Sequence, residues 1–126
     1  MRNIDVTPRP LAELASHLSD AATKRLDAVV DAGRRLGQGR TIFNITPSAA
    51  ADSGVAEAVE TITALALDAG IDTRWYQLDM PAPFRVLSER QDNWLHGYDG
   101  DGGVLRDKER DLYEHVLSSN AENLVD

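Results

Sequence analysis

Residues 41–78 read TIFNITPSAAADSGVAEAVETITALALDAGIDTRWYQL, and this stretch decides the fold. Thr41-Ile42-Phe43-Asn44-Ile45 is short, apolar and β-branched, the composition of a buried strand, here predicted over 41–46. Pro47 through Gly54 is a loop of small residues. Beyond it Val55, Val59, Ile62, Ala66 and Ala69 fall on one face of a helix predicted over 54–69. Glu57 and Glu60 occupy its early turns, where the helix dipole favours negative charge, and Gly70 ends it. Thr73-Arg74-Trp75-Tyr76-Gln77-Leu78 predicts a second strand over 73–79, with Trp75 and Tyr76 as strong β-formers. Strand, loop, helix, glycine and strand in this order make a βαβ unit with a right-handed crossover.

Towards the N-terminus, Leu11, Leu14, Leu18, Ala22, Leu26, Val29 and Val30 recur at spacings of three and four. They predict helix over 11–36, as one helix or as two with Ser19 and Asp20 capping the second. Gly33, Gly37 and Gly39 close that run. Residues 1–10 are polar and hold Pro8 and Pro10, so a flexible, extended N-terminus is expected. Towards the C-terminus, Pro81 and Pro83 break the chain, and a helix follows over 84–96. The loop GYDGDGG spans 97–103. A last helix runs over 105–124, with Leu105, Leu112, Val116 and Leu117 inward. The fold class is therefore α/β: a single domain over 11–126, built on a partial Rossmann-like βαβ unit with N-terminal helices and a C-terminal helix. Two parallel strands leave both sheet edges open. Such a unit is expected to borrow sheet or core from another copy, a partner chain or a continuation.

Composition narrows the function classes. The chain has 126 residues, 42% hydrophobic and 27% charged, as a folded domain requires. Its formal net charge of -8 repels phosphate backbones, which argues against nucleic acid as a partner. It has no basic stripe for a membrane surface and no apolar run of about 18 residues to span one. There are no cysteines, hence no thiolate chemistry and no disulfides, consistent with the cytoplasm. His17, His96 and His115 lack metal-ligand spacing. Asp99-Gly100-Asp101-Gly102 lacks the further oxygens of a calcium loop and reads as a turn. Glu89 and Asp92 share a helix face as solvated charges, and Ser48 and Ser53 have no triad partners. No catalytic residue, metal ligand or cofactor is assigned. Trp75 sits in a strand as core, whereas Trp94, near a helix end, is the better placed to stack on a sugar.

Four strings in sequence resemble the N-terminal domain of trehalose synthase of the retaining, nucleotide-sugar-dependent type. Gly54-Val55-Ala56-Glu57 is similar to the family's GGGVAE helix start, and residues 68–75 to its AGIDARW segment. Phe84 through Gly97 resembles FFxVTKxxHNxLxG without gaps. Gly100-Asp101-Gly102-Gly103, with Glu109-Arg110-Asp111-Leu112-Tyr113 and Asn120-Ala121-Glu122, resembles GDGG…ERxxYExxLxxNAEEL. The resemblance covers roughly residues 10 to 124. It implies a GT-B architecture of two Rossmann-like domains, glycosyltransferase family 4, and transfer of glucose from a nucleotide sugar to glucose. The family's glycine triplet falls on Asp52-Ser53-Gly54, and its Lys and His on Glu89 and Asp92; Asn93 is retained. By this resemblance Ser53, Gly54 and Asn93, with Trp94 added from its place near a helix end, are the candidate ligand-binding residues, for a sugar or nucleotide sugar. The implied role is a stand-alone homologue of the acceptor-side domain, incomplete alone, working with a partner glycosyltransferase chain or as a homo-oligomer. The alternative is a non-catalytic, self-associating binding or regulatory module that has lost the glycine-rich loop.

Overall fold

The computed structural model describes residues 1–47, 54–122 and 124. Elements follow the order β1 (Arg2–Ile4), α1 (Leu11–Ala15), α2 (Asp20–Gly37), β2 (Ile42–Thr46), α3 (Gly54–Asp68), β3 (Thr73–Gln77), α4 (Ala82–Leu95) and α5 (Asp107–Glu122). The chain divides into two compact units, residues 2–77 and residues 78–126 with Met1. The architecture is α/β with a small mixed sheet, compatible with a partial Rossmann-like unit.

In the first unit the sheet order is β1-β3-β2. β2 lies parallel to β3 in a register that sets Asn44 beside Trp75 and Thr46 beside Gln77. Helix α3 connects them, as the βαβ pattern requires. Ala56, Thr63 and Ala64 form its buried stripe, and small side chains there allow close approach to the sheet. Two side-chain networks seal that layer. Asn44 Nδ2 donates to Thr63 Oγ1 at 3.2 Å and Thr73 Oγ1 at 3.0 Å. Trp75 Nε1 donates to Thr46 Oγ1 at 2.9 Å. Polar groups under a helix cost little once paired. Gly70, at φ +74°, ends α3 in a Schellman motif: Ile71 N–H donates to the Ala66 carbonyl and Gly70 N–H to that of Leu67.

The sheet has a third strand that the sequence pattern did not announce. β1 pairs antiparallel with β3, Asn3 opposite Tyr76, and the Arg2 guanidinium meets the Gln77 side-chain oxygen. Further on, Arg9 N–H donates to the Ala64 carbonyl at 3.1 Å and Leu11 N–H to Asp68 Oδ2 at 2.8 Å. The physical reason is that β3 needs partners on both edges, and an extended proline-containing segment can supply one without a helix's own hydrogen bonds to break. The predicted helical run 11–36 is two helices, and Ser19 caps the second by accepting from Ala22 N–H. Gly33 and Gly37 of α2 lie against the Ile71 side chain.

The second unit is a helical hairpin. α4 and α5 pack through buried Phe84, Leu87 and Val116, with the Phe84 and Tyr113 rings stacked at 5.7 Å. Asn120, buried in α5, holds the segment before α4. Its Oδ1 accepts from Asp79 N–H at 2.8 Å, and its Nδ2 donates to the Asp79 carbonyl at 3.0 Å and to that of Val116 at 2.8 Å.

Candidate functional site

Two places carry the candidate residues. The first is the N-terminus of α3. Gly54 is the first helical residue, exposed, with open space where a side chain would be. Ser53 and the preceding loop lie outside the described residues. Thr46, at the C-terminal end of β2, is buried beneath this end of the unit and holds Trp75, which is only 3% exposed. Trp75 is thus core, as its strand position implied.

The second place is the end of α4 and the loop after it. α4 closes on Gly97, at φ +76°, again in a Schellman motif: Tyr98 N–H donates to the Asn93 carbonyl at 2.8 Å and Gly97 N–H to that of Trp94 at 3.2 Å. Gly100 and Gly102 also have positive φ, a conformation glycine adopts without penalty. Asn93 is half-buried with its side chain under Gly100; a Cβ added there would come 2.9 Å from Asn93 Nδ2. Asn93 therefore props the loop from beneath.

Arg90 fixes the far side of the loop. Its Nε and one terminal nitrogen each donate at 2.8 Å to the two oxygens of Asp101, and the other donates to the Val104 carbonyl at 2.9 Å. Asp101 also accepts from Gly103 N–H at 2.9 Å. The bidentate Arg90 contact, helped by that amide, lowers the Asp101 carboxyl from 3.8 to about 2. The same hydrogen bond raises the Arg90 guanidinium above its ordinary value. A side chain at Gly103 would collide with the guanidinium. The Asp-Gly-Asp-Gly run is a turn locked by an arginine.

Above this locked loop lies an open pocket of about 520 Å³, with Trp94, Tyr98 and Asp99 in its lining and Gly97, Gly102 and Gly103 along its backbone rim. Trp94 is 51% exposed and Tyr98 67%. The loop thus brings Asn93 and Trp94 together in different roles, Asn93 below and Trp94 facing the pocket. Gly54 belongs to the other unit. Sequence reasoning missed Tyr98, Arg90 and Asp101. The clue available was the glycine spacing in GYDGDGG, which calls for a supporting side chain. Glu89 and Asp92 carry no buried pairing; Asp92 lies beside His96, the exposed cap of α4, at 3.4 Å. Among the described residues no three His, Cys, Asp or Glu side chains group as metal ligands.

Residues 45–126 match the family model described as trehalose synthase, N-terminal domain. The chain belongs to this family. The match runs from the end of β2 through α3, β3, α4 and α5, and so covers both candidate places. It begins at Ile45, leaving β1, α1 and α2 outside it, whereas the resemblance was expected from about residue 10. No curated protein matches the chain. Among the described residues no helix is long and apolar enough to cross a membrane.

Proposed function

We propose that this chain is the acceptor-side N-terminal domain of a trehalose-synthase-like glucosyltransferase, with a GT-B-type partner domain supplying the donor site. The observation that carries the reading is the family match over residues 45–126. The sheet supports it: β2 is an edge strand of the described sheet, and Phe43 and Ile45 on one of its faces are 44% and 46% exposed. An apolar edge strand of this kind is ordinarily covered by another chain or domain. The chain contributes no catalytic group of its own in this reading. Its part is to bind and orient the acceptor sugar in the cytoplasm; the candidate contacts are Ser53 and Gly54 in the first unit and, separately, Asn93 and Trp94 in the second.

The test is turnover in trans. The chain is mixed with the separately produced C-terminal domain of a trehalose-synthase family enzyme, a nucleotide-glucose and glucose. A disaccharide product that requires both polypeptides is the expected result; product at the level of the C-terminal domain alone overturns the reading. A second reading, a self-associating module without catalysis, is favoured by the acidic Glu89 and Asp92 where the family has Lys and His. It predicts a dimer or higher assembly and no product in the same mixture.

A further inference from the structure

Helix α2 buries none of its residues, and the side chains it leaves bare are not scattered. Arg25, Val29 and Leu36 stand at i, i+4 and i+11, which puts them on one helix face. Val29 is 67% exposed and Leu36 74%. Asp20, Asp27 and Asp31 fall on the opposite face, where Asp31 lies 3.6 Å from Arg34. Arg25 and Arg35 form no ion pair among the described residues. The bare stripe is therefore apolar and basic, in a chain whose net charge is -8.

The end of α4 has the opposite character. Leu95, at 85%, is the barest large apolar side chain among the described residues, and Trp94 and Tyr98 are exposed on either side of it in the chain. The charges that go with them are acidic. Asp92 is exposed, and Asp99 lines the pocket without an ion pair among the described residues. Arg90, the arginine below, spends its Nε and both terminal nitrogens on Asp101 and the Val104 carbonyl. Residues 78–126 as a whole hold eleven acidic side chains against five basic ones.

We propose that these two surfaces are halves of one contact between copies of the chain: the Arg25–Leu36 stripe of α2 in one copy lies across Trp94, Leu95 and Tyr98 of a second. Apolar side chains at helical spacing are how an amphipathic helix engages an apolar groove. Aromatic anchors at the centre with charges at the rim are the composition of a protein interface. Arg25 and Arg35 against Asp92 and Asp99 supply the complementarity that fixes which faces meet. Two acidic copies approach each other most readily where one of them is basic. The pocket is also held in shape beforehand by Arg90 and Asn93, which lowers the cost of binding. Because two different surfaces meet, the contact is head to tail. It goes beyond the transferase reading and does not depend on it, and it gives the self-associating alternative its surfaces.

The test is sedimentation equilibrium of the chain alone over a range of concentrations. The average mass should rise with concentration. Leu36→Glu on α2 and Leu95→Ser on α4 should each weaken association about tenfold or more, as loss of an interface anchor does, with circular dichroism unchanged. Mixed together, the two variants should regain a species of two chains, because each supplies the surface that the other lacks. An unsubstituted chain that stays monomeric, association untouched by either substitution, or a mixture no heavier than its parts would each overturn the proposal. Neither substitution alters Ser53, Gly54, Asn93 or Trp94, so turnover in trans is read separately. Product from a monomeric chain would remove this contact and leave the transferase reading standing; association without product would do the reverse.

Discussion

The two units satisfy their buried polar groups in different ways. In residues 2–77 the partners sit side by side on neighbouring elements: Asn44 between Thr63 and Thr73, Trp75 on Thr46. Strand register and helix face bring them together, so the network follows from the regular structure. In residues 78–126 single long side chains reach backbone atoms across loops: Arg90 to Val104, Asn120 to both polar atoms of Asp79. There the irregular segments take their shape from the side chains. The first unit is a frame with an exposed apolar strand; the second presents a self-supported loop with an aromatic pocket.

That comparison can be broken most forcefully with the two tryptophans. Trp75→Ala empties the core under α3 and removes the Trp75–Thr46 hydrogen bond. It should cost about 3–5 kcal/mol in denaturant unfolding, while Trp94→Ala should change stability by no more than about 0.5 kcal/mol. Equal losses would erase the distinction between frame and pocket. Asn120→Ala should come next, at about 2–3 kcal/mol, because the Asp79 N–H and carbonyl lose their partner. A loss no larger than that of an exposed α5 residue would show the clamp to be unimportant.

Gly100→Ala should cost about 1–2 kcal/mol, the penalty of a left-handed backbone for an L-residue, and should push Asn93 aside. Increased amide exchange at residues 97–103, with the first unit unchanged, is the expected signature. The smallest effect is that of the Arg90–Asp101 pair, whose carboxylate side chain is 44% exposed to solvent. The Asp101 carboxyl is held at about 2 in the folded chain against 3.8 ordinarily. Its contribution is therefore present above 3.8 and is lost as pH falls through about 2. Asp101→Asn should remove that part of the acid dependence of loop exchange and leave the neutral-pH fold in place.

Much of the first unit was legible because it obeys short periods. The apolar run 41–45, the helix after Val55 and its stop at Gly70 all translate into observed elements. The burial differs from expectation: Ile42, Phe43 and Ile45 of β2 and Val55 and Ile62 of α3 are exposed, and α3 buries Ala56, Thr63 and Ala64 because small side chains let it sit close on the sheet. Ser19 was readable as a cap for the same reason. β1 was not, since three residues, two of them polar, carry no period, and their pairing is decided by the edge of β3. The supports of the second unit were hidden for a different reason. Arg90 and Asp101 are 11 residues apart, and Asp79 and Asn120 are 41 apart, so no local pattern connects them. Of the candidate site, Asn93 came from the family resemblance and Trp94 from its place near a helix end. The division of labour between them needed coordinates: one lies beneath Gly100, the other faces the pocket.

The central claim is that the chain is one part of a two-part transferase, its frame left to be covered by another domain. Sedimentation tests it most directly, with the chain alone and then with the C-terminal domain of a trehalose-synthase family enzyme. The account predicts a heavier species that contains both polypeptides and is weakened by Phe43→Lys in the exposed face of β2. A chain that sediments as a monomer, alone and in the mixture, would contradict it.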